Sequence, residues 1–189
     1  MSKNDWNFWL AYNDQARALI TQTRYNTPHP DYLNEQHNLR GRVAYSLTLA
    51  AVNGDPKHIA VYDYDIHGNV KTLWQDYRLF SQKKRIEYEY DLISGNVNAL
   101  YYQRGEKDQF IHRYTYDADN RVTQAQTSPD GYLWDTDARY QYYPHGPLAR
   151  TLLGEEQVQG LDYAYSLQGW LKGMNSGALD PAHDMGKDG

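Results

Sequence analysis

Tyr62-Asp63-Tyr64-Asp65-Ile66-His67-Gly68-Asn69-Val70 is the stretch whose reading decides the fold. It reads as a strand, a tight turn and the start of a second strand. Tyr62 and Tyr64 are two residues apart, so on a strand they face the same side. Asp65 can accept hydrogen bonds from the turn backbone, and Gly68 or Asn69 can take positive φ there. The same pattern recurs down the chain. Tyr88-Glu89-Tyr90-Asp91 leads into Gly95-Asn96-Val97, and Tyr114-Thr115-Tyr116-Asp117 leads into Asn120-Arg121-Val122. Tyr140-Gln141-Tyr142-Tyr143 leads into Gly146-Pro147-Leu148, and Tyr163-Ala164-Tyr165-Ser166 into Gly169-Trp170-Leu171.

The second tyrosine of each copy falls at 64, 90, 116, 142 and 165, giving intervals of 26, 26, 26 and 23 residues. A fixed period is the signature of a repeat architecture. Two periods before Tyr64 lies Tyr12, where Tyr12-Asn13-Asp14-Gln15-Ala16-Arg17-Ala18 aligns with Tyr116–Val122 behind an aromatic stretch from Trp6. The unit between them falls near Asn38. There Asn38-Leu39-Arg40-Gly41-Arg42-Val43 keeps the Gly-x-Val turn but lacks tyrosines, so it reads as degenerate. The expectation is an array of about seven units over 1–173, near Tyr12, Asn38, Tyr64, Tyr90, Tyr116, Tyr142 and Tyr165. Residues 174–189 read as a flexible tail or a truncated continuation.

A second class of turn separates the units: Gly54-Asp55-Pro56-Lys57, Arg104-Gly105-Glu106-Lys107, Ser128-Pro129-Asp130-Gly131 and Gly154-Glu155-Glu156. Pro-Asp-Gly is a strong turn signal. Each unit is then one hairpin, and the whole is an all-β antiparallel meander of about fourteen strands in a twisted, curved sheet. The segments 27–37 and 76–84 read as longer loops. On the tyrosine face, Ala60, Ile86, His112, Ala138 and Leu161 lie one step before the tyrosine pairs. The opposite face carries Asp63, Glu89, Thr115, Gln141 and Ala164. That alternation predicts a sheet with one aromatic–apolar face and one mostly polar, solvated face. Stacking would align the tyrosines into cross-strand ladders, each pair contributing about 0.2–1 kcal/mol.

Composition bounds the function. The 189 residues suffice for a real core. The absence of cysteine excludes disulfides and thiolate chemistry. The net charge of −5 and the lack of a long basic run make nucleic acid an unexpected partner. Lys83-Lys84-Arg85 reads as a charged turn. No apolar run approaches the roughly 20 residues of a helical membrane span. The start Met1-Ser2-Lys3-Asn4-Asp5 has no apolar signal region, so the expectation is either no export or an excised piece. Mean hydropathy is −0.89 although 19 residues are tyrosine. Tyrosine rings bury like apolar groups, so the core is expected to be tyrosine-rich rather than missing.

The repeated Tyr-x-Tyr-Asp-x-x-Gly-x-Val resembles the YD repeat of Rhs proteins, teneurins and the B/C components of insecticidal toxin complexes. The resemblance covers residues 6–173 and is most specific at Tyr62–Val70, Tyr88–Val97 and Tyr114–Val122. Asn38–Val43 and Leu167-Gln168-Gly169-Trp170-Leu171-Lys172-Gly173 are similar to Bacteroidetes Rhs proteins. The resemblance implies a β-sheet spiralling into a hollow shell around a C-terminal toxin, freed by a self-cleaving aspartyl protease region. It also implies a bacterial, secreted or surface location. Asp180-Pro181 matches the start of that family's core-ending signature, but the following Gly-Leu-like pair is missing. Fourteen strands make roughly 67 Å of sheet, a patch of wall with open edges. The chain therefore reads as a fragment or as a short array that dimerises.

The candidate chemistry sits in turns. Asp65, Asp91 and Asp117 form a periodic carboxylate row, and periodicity favours turn capping over catalysis, which needs a residue once. Asp117-Ala118-Asp119-Asn120 opens like a calcium loop, but Arg121, Val122 and Ser128 stand where oxygen, glycine and glutamate are needed. Asp135-Thr136-Asp137 is a weaker case. His67 and His145 occupy matching turn positions. His112 falls on the tyrosine face, where a buried histidine bonded to a tyrosine hydroxyl is expected. Trp74, Trp134 and Trp170 are a possible ligand platform, able to stack on sugar rings or peptide if exposed. No metal or cofactor is expected, nor a catalytic residue. The leading expectation is a non-catalytic scaffold whose partners are the rest of a larger Rhs-type chain or its toxin cargo, with self-association through sheet edges. A carbohydrate- or protein-binding module is the alternative, and a hydrolase built on turn carboxylates ranks third.

Overall fold

The computed structural model describes residues 20–50, 54–80 and 82–175. The expected unit near Tyr12 lies outside the described residues. Twelve strands form one antiparallel sheet in strict chain order. They are β1 (Ile20–Tyr25), β2 (Val43–Leu49), β3 (Pro56–Tyr64), β4 (Val70–Tyr77), β5 (Gln82–Tyr90), β6 (Val97–Tyr102), β7 (Phe110–Tyr116), β8 (Val122–Ser128), β9 (Asp135–Tyr142), β10 (Leu148–Leu153), β11 (Gln159–Tyr165) and β12 (Leu171–Met174). This is the all-β hairpin meander that the period implies. Contacts divide the chain into two compact units: Met1–Tyr88 with Tyr102–Arg104, and Glu89–Tyr101 with Gly105–Gly189.

Several local expectations are corrected. Lys83, Lys84 and Arg85 are not a turn. They lie within β5, across from Asp76, Gln75 and Trp74 of β4. The expected loop over 76–84 shrinks to a single 3-10 turn, Arg78–Phe80. The β1–β2 connection also differs. Its ends close as the tyrosine turns do: the Asn26 N–H donates to the Arg42 carbonyl, and the Gly41 N–H donates to Asn26 Oδ1. Tyr25-Asn26 thus stands where Tyr64-Asp65 stands, and residues 27–41 replace 66–68. The tyrosine is displaced by an insertion rather than lost near Asn38.

That insertion forms the first unit's core. It carries a 3-10 turn, Pro30–Tyr32, started by His29 and Pro30. Tyr32 packs with the buried side chains of Ile59 and Val61, flanked by Tyr45, Leu47 and Trp74. These strand residues occupy the face opposite the Tyr62 ring, because Val61 pairs with both Tyr45 and Trp74. The face expected to be polar and solvated is therefore the more deeply buried one in this unit. Even Asp63 is only 4% exposed. Gln36 pins the insertion down: its Nε2 donates to the Ala44 and Tyr62 carbonyls at 2.7 and 2.8 Å, and its Oε1 accepts from the His29 N–H.

Among the described residues, the second unit has no such cover. Its buried side chains are small or single: Ala99, Ile111, Ser128, Thr136, Ala138, Thr151, Leu152 and Asp162. Opposite Tyr114 stands Ala125, and beyond it Ala138; opposite Tyr140 stands Thr151, then Leu161. The expected tyrosine ladders are therefore not direct cross-strand pairs. The tyrosine strands alternate with return strands, so like residues lie two strands apart, roughly 9.6 Å.

Two substitutions test this packing by urea denaturation. Ile59→Ala should lower stability by about 2–5 kcal/mol. Gln36→Leu should cost at least about 2 kcal/mol by stranding two carbonyls and an N–H in a buried setting. A Gln36→Leu protein as stable as the parent would show that the insertion is not seated on the sheet.

Candidate functional site

Five hairpin turns share one geometry. The first turn residue donates its N–H to the carbonyl four or five positions on, and a residue at positive φ donates back. The pairs are Asp65 with Asn69 and Gly68, Asp91 with Asn96 and Gly95, Asp117 with Arg121 and Asn120, Tyr143 with Pro147 and Gly146, and Ser166 with Trp170 and Gly169. Gly68, Gly95, Gly146 and Gly169 take φ from 75° to 114°, and Asn120 takes 62°. At Gly68 it is the positive φ that calls for glycine; an added Cβ would also meet the Arg42 guanidinium, the movable end of a flexible side chain.

The aspartates close these turns. Asp65 Oδ1 accepts from the N–H groups of His67, Gly68 and Asn69. Asp91 Oδ1 accepts from Ile93, Ser94 and the Ser94 hydroxyl. Asp117 accepts from the Asp119 and Arg121 backbone and from the Arg121 guanidinium at 2.7 Å. The Asp65 carboxyl is pushed up by desolvation, but the donors of Asn69, Gly68 and His67 outweigh this and hold it below 3.8. Ser94 does the same for Asp91, and Arg121 for Asp117. Such carboxylates are poor proton carriers at neutral pH.

The tyrosine hydroxyls show a feature that the sequence reading did not contain. Tyr64 donates to the Val43 carbonyl at 2.8 Å, Tyr116 to the Val97 carbonyl at 2.7 Å, and Tyr142 to the Val122 carbonyl at 2.7 Å. Each bond joins a repeat to the first residue of the preceding return strand. Tyr143 adds one to the Tyr163 carbonyl. The carbonyls are presented by a recurring β-bulge. Register shifts at Tyr25/Val43, Tyr64/Val70, Tyr116/Val122, Tyr142/Leu148 and Tyr165/Leu171 leave Ala44, Lys71, Thr123, Ala149 and Lys172 as the extra residues. Burial raises the hydroxyl pKa of Tyr64, Tyr88, Tyr116 and Tyr142, which keeps them neutral. Tyr90, Tyr114 and Tyr140 lie on β5, β7 and β9, and Tyr163 and Tyr165 on β11, all at least partly covered.

The tryptophans do not form a common surface. Trp74 sits on β4 with Tyr32 against it, ring centroids 5.2 Å apart. Trp134 donates to the Gly131 carbonyl, and the Arg113 guanidinium lies 4.0 Å above its ring. Trp170 is 76% exposed, between Leu167 and Leu171, which are exposed as well. His112 is half-buried and packs edge-on against Phe110 rather than on a tyrosine hydroxyl. His67 and His145 are exposed at their turns.

One pairing outside the repeats has chemical character. His37 Nδ1 lies 3.1 Å from Oδ1 of the buried Asp63, while the ring is largely exposed. A carboxylate orienting an imidazole can serve proton transfer. Here the same oxygen also accepts the His37 N–H at 2.6 Å, which makes it a cap of the insertion. Among the described residues, no three His, Asp or Glu side chains are grouped to hold a metal ion, and no helix is long and apolar enough to cross a membrane.

Comparison with known proteins bears on the fold. No protein-family model and no curated protein matches the chain. Among solved structures, a chain of the Photorhabdus luminescens Tc holotoxin pore with a mutated TccC3 is 15% identical, covering 86% of this chain and 10% of its own, with a TM-score of 0.43. A chain in the crystal structure of TcdB2–TccC3–Cdc42 is 13% identical, covering 82% of this chain and 9% of its own, with a TM-score of 0.50. The latter likeness is one of fold. The chain spans about a tenth of the length of the chains it matches.

Removing single hydroxyls measures the lock: Tyr116→Phe and Tyr142→Phe should each lower stability by about 1 kcal/mol with unchanged circular dichroism. The pH profile should show two windows. His29 is held below 6.5 by its burial, and its neutral Nδ1 accepts the Asp31 N–H. Its contribution is complete above pH 6.5 and shrinks as pH falls below that value. The turn aspartates are more acidic folded than unfolded. Their contribution persists to about pH 4 and is lost as pH falls through the lower folded values. The urea midpoint should follow both windows. His29→Gln should remove the first, and the combined Asp65→Asn, Asp91→Asn and Asp117→Asn the second.

Proposed function

We propose that this chain is a non-catalytic wall segment of a YD/Rhs-repeat shell in a secreted or surface-located bacterial protein of the polymorphic-toxin type. The observation that carries this reading is the fate of the repeated polar groups. The motif supplies a turn aspartate at Asp65, Asp91 and Asp117 and a tyrosine hydroxyl at Tyr64, Tyr116 and Tyr142, and these accept from or donate to backbone within the sheet. What the motif does chemically is hold one hairpin to the one before it. The fold likeness to a chain of the TcdB2–TccC3–Cdc42 structure, spanning a small part of that chain, agrees with a segment of a larger wall. On this reading the partners are neighbouring repeats of a longer Rhs-type chain and the enclosed cargo, and no cofactor is used. A second reading, an aromatic binding module for carbohydrate or protein, rests on the exposure of Trp170 beside Leu167 and Leu171.

Glycan arrays separate the two. A wall segment gives no saturable signal, and acrylamide quenches Trp170 strongly but Trp74 and Trp134 weakly. Saturable binding that disappears in Trp170→Ala or Trp134→Ala, with the circular dichroism spectrum intact, would establish the binding module instead. Electron microscopy of the full reading frame supplies the positive test: the repeats should line a closed cavity, and an open sheet would refute the wall.

A further inference from the structure

We infer that the outer edge of β12 is an acceptor site for an added β-hairpin whose leading strand has the form Tyr-x-Tyr followed by Asp or Asn. The interface this edge presents is already seen inside the molecule. A tyrosine strand lies beside the return strand of the preceding repeat and donates its second hydroxyl to the opening residue of that strand. Val43, Val97 and Val122 are the acceptors for Tyr64, Tyr116 and Tyr142. Leu171 opens β12 at the equivalent register. It pairs with Tyr165 across the same bulge that sets Val43 against Tyr25 and Val122 against Tyr116. Among the described residues, β12 pairs with β11 alone.

The side chains show the same half-built interface. Leu171 is 58% and Met174 57% exposed. The opening residues of the other return strands, Val43, Val70, Val97, Val122 and Leu148, are all partly covered. β12 also ends in the way an interior strand does. Asn175 takes φ 54°, donates its N–H to the Asp162 carbonyl and accepts the Asp162 N–H on Oδ1. Gln103 does the same to Arg85 after β6, with φ 49°. A strand finished like those inside the sheet, with apolar side chains uncovered and one row of backbone groups facing outward, is a template for pairing. Asn175 points its N–H at β11, so Met174 points its own away. The inference concerns pairing chemistry, and it stands whether the array walls a cavity or binds a ligand.

The probe is a fluorescently labelled peptide spanning Phe110–Ser128, the β7–β8 hairpin, added to the intact protein and followed by anisotropy. Saturable binding is expected. A peptide with Tyr116→Phe should bind roughly fivefold more weakly, the worth of one hydrogen bond. Met174→Pro in the protein removes an outward N–H at an edge position where proline is tolerated, so the thermal midpoint should hold while binding is lost. Met174→Ala should retain binding. Absence of saturable binding, equal binding of a scrambled peptide, or undiminished binding to a folded Met174→Pro protein would each overturn the proposal. Sedimentation of the protein alone should give a monomer. A concentration-dependent dimer abolished by Met174→Pro would overturn the choice of partner by assigning the edge to a second copy. Should Met174→Pro fail to fold, the comparison of the two peptides on the parent protein decides the matter.

Discussion

The hydrogen bond from a tyrosine hydroxyl to the opening carbonyl of the preceding return strand is the constraint on which the repeat depends. Ladder hydrogen bonds alone leave register weakly specified when both faces carry polar residues. The described hydroxyls fix it, because each reaches one carbonyl and a one-residue slip would move the ring to the other face. The bulge is the other half of the device. An extra residue at Ala44, Lys71, Thr123, Ala149 or Lys172 breaks the pleat just after the turn and adds local twist. Where the turn begins with aspartate, at Asp65, Asp91 and Asp117, the carboxylate reinforces that geometry by gathering turn N–H groups. Turn, bulge and hydroxyl therefore act together, and the 26-residue period measures the length of chain needed to build all three.

A sheet held in this way needs little interior. In the second unit the buried residues are scattered along strands, many of them small or polar, and among the described residues no element packs across a face as Tyr32 does in the first. Half-buried tyrosine rings and backbone hydrogen bonds carry the stability that a packed core supplies elsewhere. Mean hydropathy scores this arrangement as polar because it counts the hydroxyl and ignores the ring. The first unit departs from that rule only where the period is broken. The insertion over 27–41 lays Tyr32 on Ile59 and Val61, and the buried polar groups that result are satisfied by capping: Gln36 serves two carbonyls, and Asp63 serves His37.

The order and pairing of strands were legible because they are written in the period, and a period survives substitution at single positions. The bulge was not legible. It changes which residues oppose one another without changing the alternation of residue types, and Lys71, Thr123 and Ala149 share no chemistry that would mark them. The hydroxyl bonds were hidden for a related reason: tyrosine reads as an aromatic face residue whether or not its oxygen is used. The insertion could have been found. Tyr25-Asn26 and Gly41-Arg42-Val43 are the two halves of one motif, set apart by residues 27–40, so the 26-residue period does not bring them together. The mistaken turn at Lys83-Lys84-Arg85 has an electrostatic cause. Asp76 across the strand pair and the Tyr32 ring beneath Lys83 make a cationic strand favourable there, and neither neighbour is near in sequence.

Periodicity also limits where specific recognition can arise. A residue present in every unit multiplies whatever it does, which suits cohesion and suits discrimination poorly. The groups that distinguish one part of this chain from another are aperiodic: the insertion with its His37–Asp63 pair, the arginine over Trp134, and Trp170 with the apolar side chains around it. The first two are bound into local structure by short hydrogen bonds or a covered ring. Trp170 is not. It lies in the turn that opens β12, where the repeated interface is half complete. Covering Trp170, Leu167 and Leu171 would remove apolar surface from water at about 25 cal/mol per Å². The same contact would pair the outward backbone of β12. A strand arriving at that edge gains both terms at once, whereas a ligand stacking on Trp170 alone gains only the first, so the physical balance at this end of the described chain favours a strand.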